Sequence, residues 1–378
     1  MKLLSIEPTP NPNSMKLQLD ESLPKRENHT YTREKQEGAP QKISKILEVP
    51  GVQSVFHLAD FLAIQRDPKC KWEDILREIR GIMEGELAET PAPTRKTTEV
   101  DEDWQEIQVS IQFFRRIPML IRLRMELEEK RVALPELFDD VIRCAAPSSK
   151  NMLFERQWKT WGVRYGDFET VGASVLEEIC AIYPKKRLDI LVHQAFKTDK
   201  EETKRSLEEL EEALGSEDWK ERLTSLREIG ANKDAIGLLY QAAKDTKPLI
   251  RQLAIVFLGL LENDEVLETL CQALKDPTVG VRRAAGDALT DLGNVDAMGP
   301  IIESLKDENK LVRWRAARFL YELGDQSALL ALQELINDPA FEVSLQAKQA
   351  TERIEGGHDA KGPAWKQMTE LFEKSSKK

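Results

Sequence analysis

The chain has 378 residues, enough for two or three domains with separate cores, and is 41% hydrophobic and 32% charged, an ordinary water-compatible composition. Its 66 acids outnumber 55 lysines and arginines for a net charge of -11, which argues against nucleic acid as a bulk partner. The densest basic stretch, "FFRRIPMLIRLRMELEEKR" from Phe113, is interrupted by apolar residues and runs into acids.

The amino end, "MKLLSIEPTPNPNS", lacks the sustained apolar core of a signal peptide, so a cytoplasmic location is expected. Residues Gly51 to Asp67, "GVQSVFHLADFLAIQRD", read as two short strands around a turn near Ala59 and Asp60. "WEDILREIRGIMEG" then spaces Trp72, Ile75, Leu76, Ile79 and Met83 along one helical face. The sum is a small α+β unit over residues 1–85. "IEPTPNPNSMK" from Ile6, with "SKILEVPGVQSVF" from Ser44 and "WEDI", resembles the amino-terminal domain of Nfu/NifU-type iron-sulfur scaffold proteins. Asp20 to Lys42 forms a longer, more polar insertion than that family carries. The separate CxxC domain, which supplies the family's cluster ligands, has no counterpart here. The Pro, Thr and acid-rich run from Glu84 to Asp103 predicts a linker, assigned to residues 86–103.

An α+β middle module is expected over residues 104–196. In "EIQVSIQF" the residues Ile107, Val109, Ile111 and Phe113 alternate with polar ones, the signature of a half-buried strand. "LPELFDDVIRCAA" places Leu137, Val141, Ile142 and Ala145 on one helical face. Together with "RRIPMLIRLR", this pattern resembles a domain known as the virulence factor domain. Trp158 and Trp161, three apart, are expected to meet on one helical turn as packing at a domain joint.

Residues 197–217 predict a charged helical joint, with "SLEELEEALG" as a solvated helix ending at Gly215. From there to residue 356 the chain predicts an all-α repeat solenoid. Ile250, Val281, Val312 and Val343 are 31 residues apart, as are Ala254, Ala285, Ala316 and Ala347, and Leu261, Leu292, Leu323 and Ile354. A second helix repeats with Val266, Ala297 and Ala328, with Leu270, Ile301 and Leu332, and with Leu274, Leu305 and Ile336. A degraded first copy is expected near Trp219, with Leu226 and Ile229 as its remnants. Each copy is too small to fold alone, so neighbours must bury one another's faces. The copies resemble HEAT-like repeats of the short kind found in bilin lyases. That resemblance implies a structural ladder of loop acids and helix arginines, Asp245, Asp276 and Asp307 with Arg251, Arg282 and Arg313. The fourth copy keeps Asp338 but has Ser344 in place of the arginine, as suits a terminal cap. Residues 357–378 read as a polar tail.

Catalytic and metal signatures are not evident. His29, His57, His193 and His358 are scattered, and Cys70, Cys144, Cys180 and Cys271 form no CxxC, so reduced thiols and no bound metal or cofactor are expected. No apolar run approaches the ~20 residues of a membrane span; the longest candidate, from Pro248, is broken by Arg251 and Gln252. Opposite the buried stripe, the repeated helix carries Gln252, then Arg283 and Asp287, then Trp314, Arg318 and Tyr321. In HEAT-type arrays this side faces partners, so these residues are the candidate protein-binding surface. Replacing Trp314 and Arg283 by alanine is then expected to leave the helical melting profile nearly unchanged but to reduce co-purifying partners.

The three resemblances, in this order, are those of the bacterial family named conserved virulence factor C. The chain, with its helical array and no catalytic motif, is read as a non-enzymatic cytoplasmic scaffold or adaptor that grips a protein partner, and the family resemblance implies a role supporting expression of virulence traits. The alternatives are an accessory role in iron-sulfur cluster assembly or delivery through the Nfu-like head, and a bilin-lyase-like enzyme. Neither a small-molecule substrate nor a membrane is expected as a partner.

Overall fold

The computed structural model describes residues 1–9, 11–24, 27–84, 106–125, 128–196 and 205–357. The expected linker 86–103, the start of the charged joint (197–204) and the tail from residue 358 lie outside the described residues. The chain divides into two units, one of residues Met1–Asp101 and Asn263–Lys378, the other of Glu102–Glu262.

In the first unit, five strands form an antiparallel sheet: β1 (Leu3–Pro8), β2 (Ser14–Leu19), β3 (Asn28–Thr32), β4 (Val52–Leu58) and β5 (Phe61–Arg66). Their order is β1-β2-β5-β4-β3. The predicted hairpin is β4–β5, turning at Ala59, whose φ is 48°. β3 falls inside the polar insertion; of its five residues only Tyr31 is buried, so the apolar alternation that reveals strands is missing. One sheet face buries Met15, Leu17, Leu62 and Ile64 against α1 (Gln41–Glu48) and α2 (Trp72–Glu84), and all five predicted apolar residues of α2 are buried. Trp72 is fully enclosed and its Nε1 donates to the carbonyl of Pro12 at 2.9 Å, which ties α2 to the Pro-Asn-Pro-Asn loop.

In the second unit, β6 (Glu106–Phe114), β7 (Ile117–Met125), β8 (Glu128–Ala133) and β9 (Arg156–Tyr165) form an antiparallel sheet of order β8-β7-β6-β9. The helices are α3 (Glu136–Ala145), the single turn α4 (Met152–Glu155), α5 (Phe168–Ile182) and α6 (Lys185–Ala195). The alternating residues Ile107, Val109, Ile111 and Phe113 all face the core, as their spacing predicts. On α3 the inward residue is Phe138 rather than Leu137, which is only half-buried. Arg115 and Arg116 form the two-residue β6–β7 turn with φ of 43° and 73°, the left-handed pair a type I′ hairpin requires. Such conformations cost arginine about 1 kcal/mol or more each. A bidentate pair from Arg115 to Glu155, at 2.6 and 3.1 Å, anchors the turn.

Trp158 and Trp161 lie on β9, not on a helix. A three-residue spacing puts side chains together on a helix but on opposite faces of a strand. Trp161 packs on the core and donates to Glu178 on α5 at 2.9 Å, whereas Trp158 looks outward beneath Arg122.

The same unit continues through α7 (Leu207–Leu214), α8 (Trp219–Ile229), α9 (Ile236–Ala242) and α10 (Pro248–Gly259). Ser206 and Glu209 make a reciprocal capping box at the start of α7. That helix is not solvated all round: Leu210, Ala213 and Leu214 are buried, and Ser225 of α8 donates to the Leu210 carbonyl at 2.7 Å.

The remaining repeats belong to the first unit: α11 (Leu267–Ala273), α12 (Val279–Leu292), α13 (Met298–Ser304), α14 (Lys310–Leu323), α15 (Leu329–Leu335) and α16 (Phe341–Glu355). The residues of the first two 31-residue series, from Ile250 and from Ala254, are all buried. Leu292 and Leu323 of the third are half-buried. Another series escaped the sequence reading: Asn232, Asn263, Asn294 and Asp325, 31 apart, each accept a backbone N–H two residues on. Each caps the short turn that opens the second helix of its copy.

Candidate interaction surface of the repeats

The surface is built on the acid and arginine ladder, whose geometry links one copy to the next. Asp307 accepts the Asn309 N–H at 2.8 Å, closing its own loop. Its carboxylate also receives both Nε and a terminal nitrogen of Arg282, at 2.6 and 2.9 Å. The remaining Arg282 nitrogen donates back to the Asp276 carbonyl at 2.9 Å. One copy on, Arg313 repeats every contact, with Asp338 at 2.7 and 3.0 Å and the Asp307 carbonyl at 2.8 Å. Each arginine thus joins its own loop to the acid of the following copy, and planar two-point pairing fixes the spacing. The Arg282 guanidinium is held in its charged form, first by the hydrogen bonds it donates to Asp307.

The ladder extends further toward the amino end than its sequence motif. In the second unit Arg222 holds Asp245 at 2.6 and 2.9 Å and donates to the Ser216 carbonyl, while Arg251 donates to the Asp245 carbonyl at 2.8 Å. Arg222 precedes Arg251 by 29 residues instead of 31. A search at the fixed step lands on Lys220 and misses it. The supposed degraded copy is therefore a complete helix pair with both Leu226 and Ile229 buried. Burial pushes the Asp245 carboxyl up, but the bonds from Arg222 and Lys247 outweigh it and hold the group below the usual carboxylate range. At the other end Ser344 donates to the Ile336 carbonyl, and no arginine continues the series.

The six candidate partner residues have different fates. Gln252 and Arg283 are half-buried. Asp287 keeps 47% of its side chain exposed and pairs with buried Arg315 at 2.7 Å. Arg318 is mostly covered and pairs with Glu322 at 3.0 Å along α14, and Tyr321 is half-buried. Trp314 is 2% exposed and cannot present its ring to a partner. This corrects the expected surface: α14 packs against both α12 and α16, so its side opposite Val312 is interior too. Buried residues lie all round α14, and a helix of that kind belongs to a core. Glu322 shares that interior; burial pushes its carboxyl up, Arg318 pulls it down less, and its Oε2 has no hydrogen-bond partner among the described residues.

The terminal copy is not a free cap. Phe341 and Leu345 of α16 pack into the core of the amino-terminal sheet. Arg66, at the end of β5, meets Glu342 at 2.5 Å with both side chains almost fully buried. Arg66 also stacks over Trp72 at 5.0 Å and donates to Asn13 at 3.3 Å, while Gln349 donates to the Ile6 carbonyl at 2.7 Å. Ile6 and Arg66, the latter braced by Asn13, are thus joined to the end of the repeats, a contact between residues more than 270 positions apart.

Among the described residues no three His, Cys, Asp or Glu side chains gather to hold a metal. The head's single cysteine, Cys70, sits so close to Gly51 that a Cβ there would lie 2.6 Å from the Cys70 Cβ. Burial pushes the Cys70 thiol up, the wrong direction for a thiolate ligand. These residues do not fit an iron-sulfur cluster. Among the described residues no helix is long and apolar enough to cross a membrane.

Comparison with known proteins matches all three sections. Residues 4–90 match the family model "Scaffold protein Nfu/NifU N terminal", residues 112–192 "Virulence factor", and residues 207–290 and 267–352 "HEAT repeats". The solved structure of SAV1430 from Staphylococcus aureus is 38% identical over 22% of this chain and 98% of its own, with a TM-score of 0.21. The CpcE–CpcF complex of phycocyanin lyase from Nostoc is 21% identical over 43% of this chain and 69% of that one, with a TM-score of 0.34. An uncharacterized Bacillus subtilis protein, YpgR, is 51% identical over 99% of this chain and all of its own length. Proteins named conserved virulence factor C are 47% identical in Staphylococcus aureus (strain MRSA252), over 98% of this chain and 99% of the relative, and 41% in Staphylococcus saprophyticus, over 97% and 98%. With its three sections in the same order and its whole length aligned, the chain belongs to the conserved virulence factor C family.

Proposed function

We propose that the chain is a cytoplasmic scaffold whose repeats bind a protein partner, and that it supports the production of virulence factors by binding rather than by turnover. The observation that carries this reading is the pair Arg283 and Asp287, one turn apart on α12, of which Asp287 keeps 47% of its side chain exposed. The exposed charge is already fixed in place, by buried Arg315 on Asp287. A partner therefore loses little to side-chain ordering when it meets that charge. The names of the relatives support the association with virulence.

Capture from the native bacterium tests the reading, with Arg283→Glu and Asp287→Asn compared against the unaltered chain. The asparagine keeps an acceptor for Arg315, so the fold is expected to persist by circular dichroism. Loss of a defined captured protein, restored by a compensating charge change on that partner, is the expected result. Capture of the same proteins at equal affinity by both variants would exclude this pair.

A further inference from the structure

We propose that the open face of the β8-β7-β6-β9 sheet binds single-stranded nucleic acid, a second interaction site separate from the pair on the repeats. Away from the β6–β7 turn, where Phe114 and Ile117 are buried as well, only one face of this sheet is used by the core. Ile107, Val109, Ile111, Ile121 and Leu123 point toward α3, α5 and α6, and a Cβ on Gly172 of α5 would touch Leu123 and Val132. Strand alternation sends Ser110, Gln112, Arg122, Arg131 and Trp158 to the other face.

That face is organised around Trp158. The Arg122 guanidinium stacks over its ring at 4.1 Å. Arg122 stands directly opposite Arg131 in the β7–β8 register, a like-charge pairing that costs a sheet stability. Arg156, two residues before Trp158 on the same strand, stands opposite fully buried Phe114 and its Nε is buried, so it belongs to the covered end of the sheet and not to the open face. The acids of this face, Glu129 and Glu106, register at the opposite end; Glu129 reaches back to Arg131 at 2.9 Å. Two arginines, Arg122 and Arg131, therefore sit beside a tryptophan on the open face of a chain that is acidic as a whole.

A phosphate chain supplies the charge that relieves the opposed arginines, and its bases supply planes that stack on tryptophan and guanidinium. An acidic peptide would satisfy the charges and leave the stacking platform unused, so nucleic acid is the occupant these side chains favour. Of the basic stretch from Phe113, Arg122 and Arg131 meet here because alternate residues of β7 and β8 face opposite ways.

The test is fluorescence anisotropy with the full-length chain, a labelled 12-nucleotide oligouridylate, and unlabelled polyphosphate and polyglutamate as competitors. Binding is expected at 50 mM salt, weakening as salt rises. Trp158→Ala should weaken it roughly tenfold, with Trp158→Phe recovering most of the loss. Arg131→Ala should weaken it less and reduce the salt dependence by about one ion. Circular dichroism checks that each variant folds. No binding by the unaltered chain, equal binding by Trp158→Ala, equal competition by polyphosphate, or stronger competition by polyglutamate would each overturn the proposal, the last in favour of an acidic protein.

Discussion

The guanidinium of Arg66 and the carboxylate of Glu342 lie 2.5 Å apart, both almost wholly withdrawn from water, and they fasten the amino-terminal sheet to the last helix of the repeats. A repeat stack needs its terminal apolar face covered. Here the cover is the amino-terminal sheet, with Phe341 and Leu345 packing, partly buried, against the core that holds Trp72 and Met15. Arg66→Ala leaves Glu342 buried and uncompensated, so it should destabilise this contact by about 3–5 kcal/mol. Arg66→Met combined with Glu342→Leu should recover most of that loss. Denaturant titration of the single and double variants checks both values.

The sequence pattern assigned Trp314 to a free surface, and its burial reverses the expected effect of mutation. Trp314→Ala should cost about 3–5 kcal/mol and lower the melting temperature, rather than leave the profile unchanged. Thermal denaturation followed by circular dichroism measures it, and an unshifted transition would mean that the ring is not enclosed.

The ladder predicts coupling between specific positions. Arg282→Ala and Asp307→Ala should show an interaction energy of about 1–3 kcal/mol in a double-mutant cycle, because they share a two-point pair. Arg282→Ala with Asp338→Ala should be additive within about 0.5 kcal/mol, because Asp338 belongs to Arg313. Equal coupling in the two cycles would contradict the step-by-step pairing.

Two buried carboxylates respond to pH with opposite sign. Asp245 is held below its ordinary value, so its contribution is present above the unfolded carboxylate range near pH 4 and is lost as pH falls through the folded value. Glu322 is pushed up by burial, so its charge opposes folding above the folded value and the penalty fades as pH falls. Glu322→Gln should therefore raise the melting temperature by about 2 °C at pH 8, with the gain shrinking toward pH 4. Melting curves of both proteins across that interval test the sign.

Periodicity revealed what repeated and what alternated. The buried series from Ile250 and Ala254, the inward residues of β6 and the helix at Trp72 all sit where their spacing placed them. It failed where two structures share a spacing or where burial has a distant cause. Trp158 and Trp161 satisfy a helix and a strand equally, and only the pairing of β9 with β6 decides between them. Trp314 occupies a position that is polar in the preceding copies, Gln252 and Arg283, and its enclosure depends on packing no single helix encodes. The meeting of Arg66 with Glu342 spans 276 positions and has no local signature. Arg222 was hidden for a smaller reason, a copy two residues short.

Hydrogen exchange read by mass spectrometry on the full-length chain tests most directly whether the amino-terminal sheet and the last repeats form a single body. In Arg66→Ala, amides of Phe341–Glu355 and of Leu3–Pro8 should lose protection together, while those of Val279–Leu292 keep theirs. Exchange in Phe341–Glu355 at the unaltered rate would contradict the account.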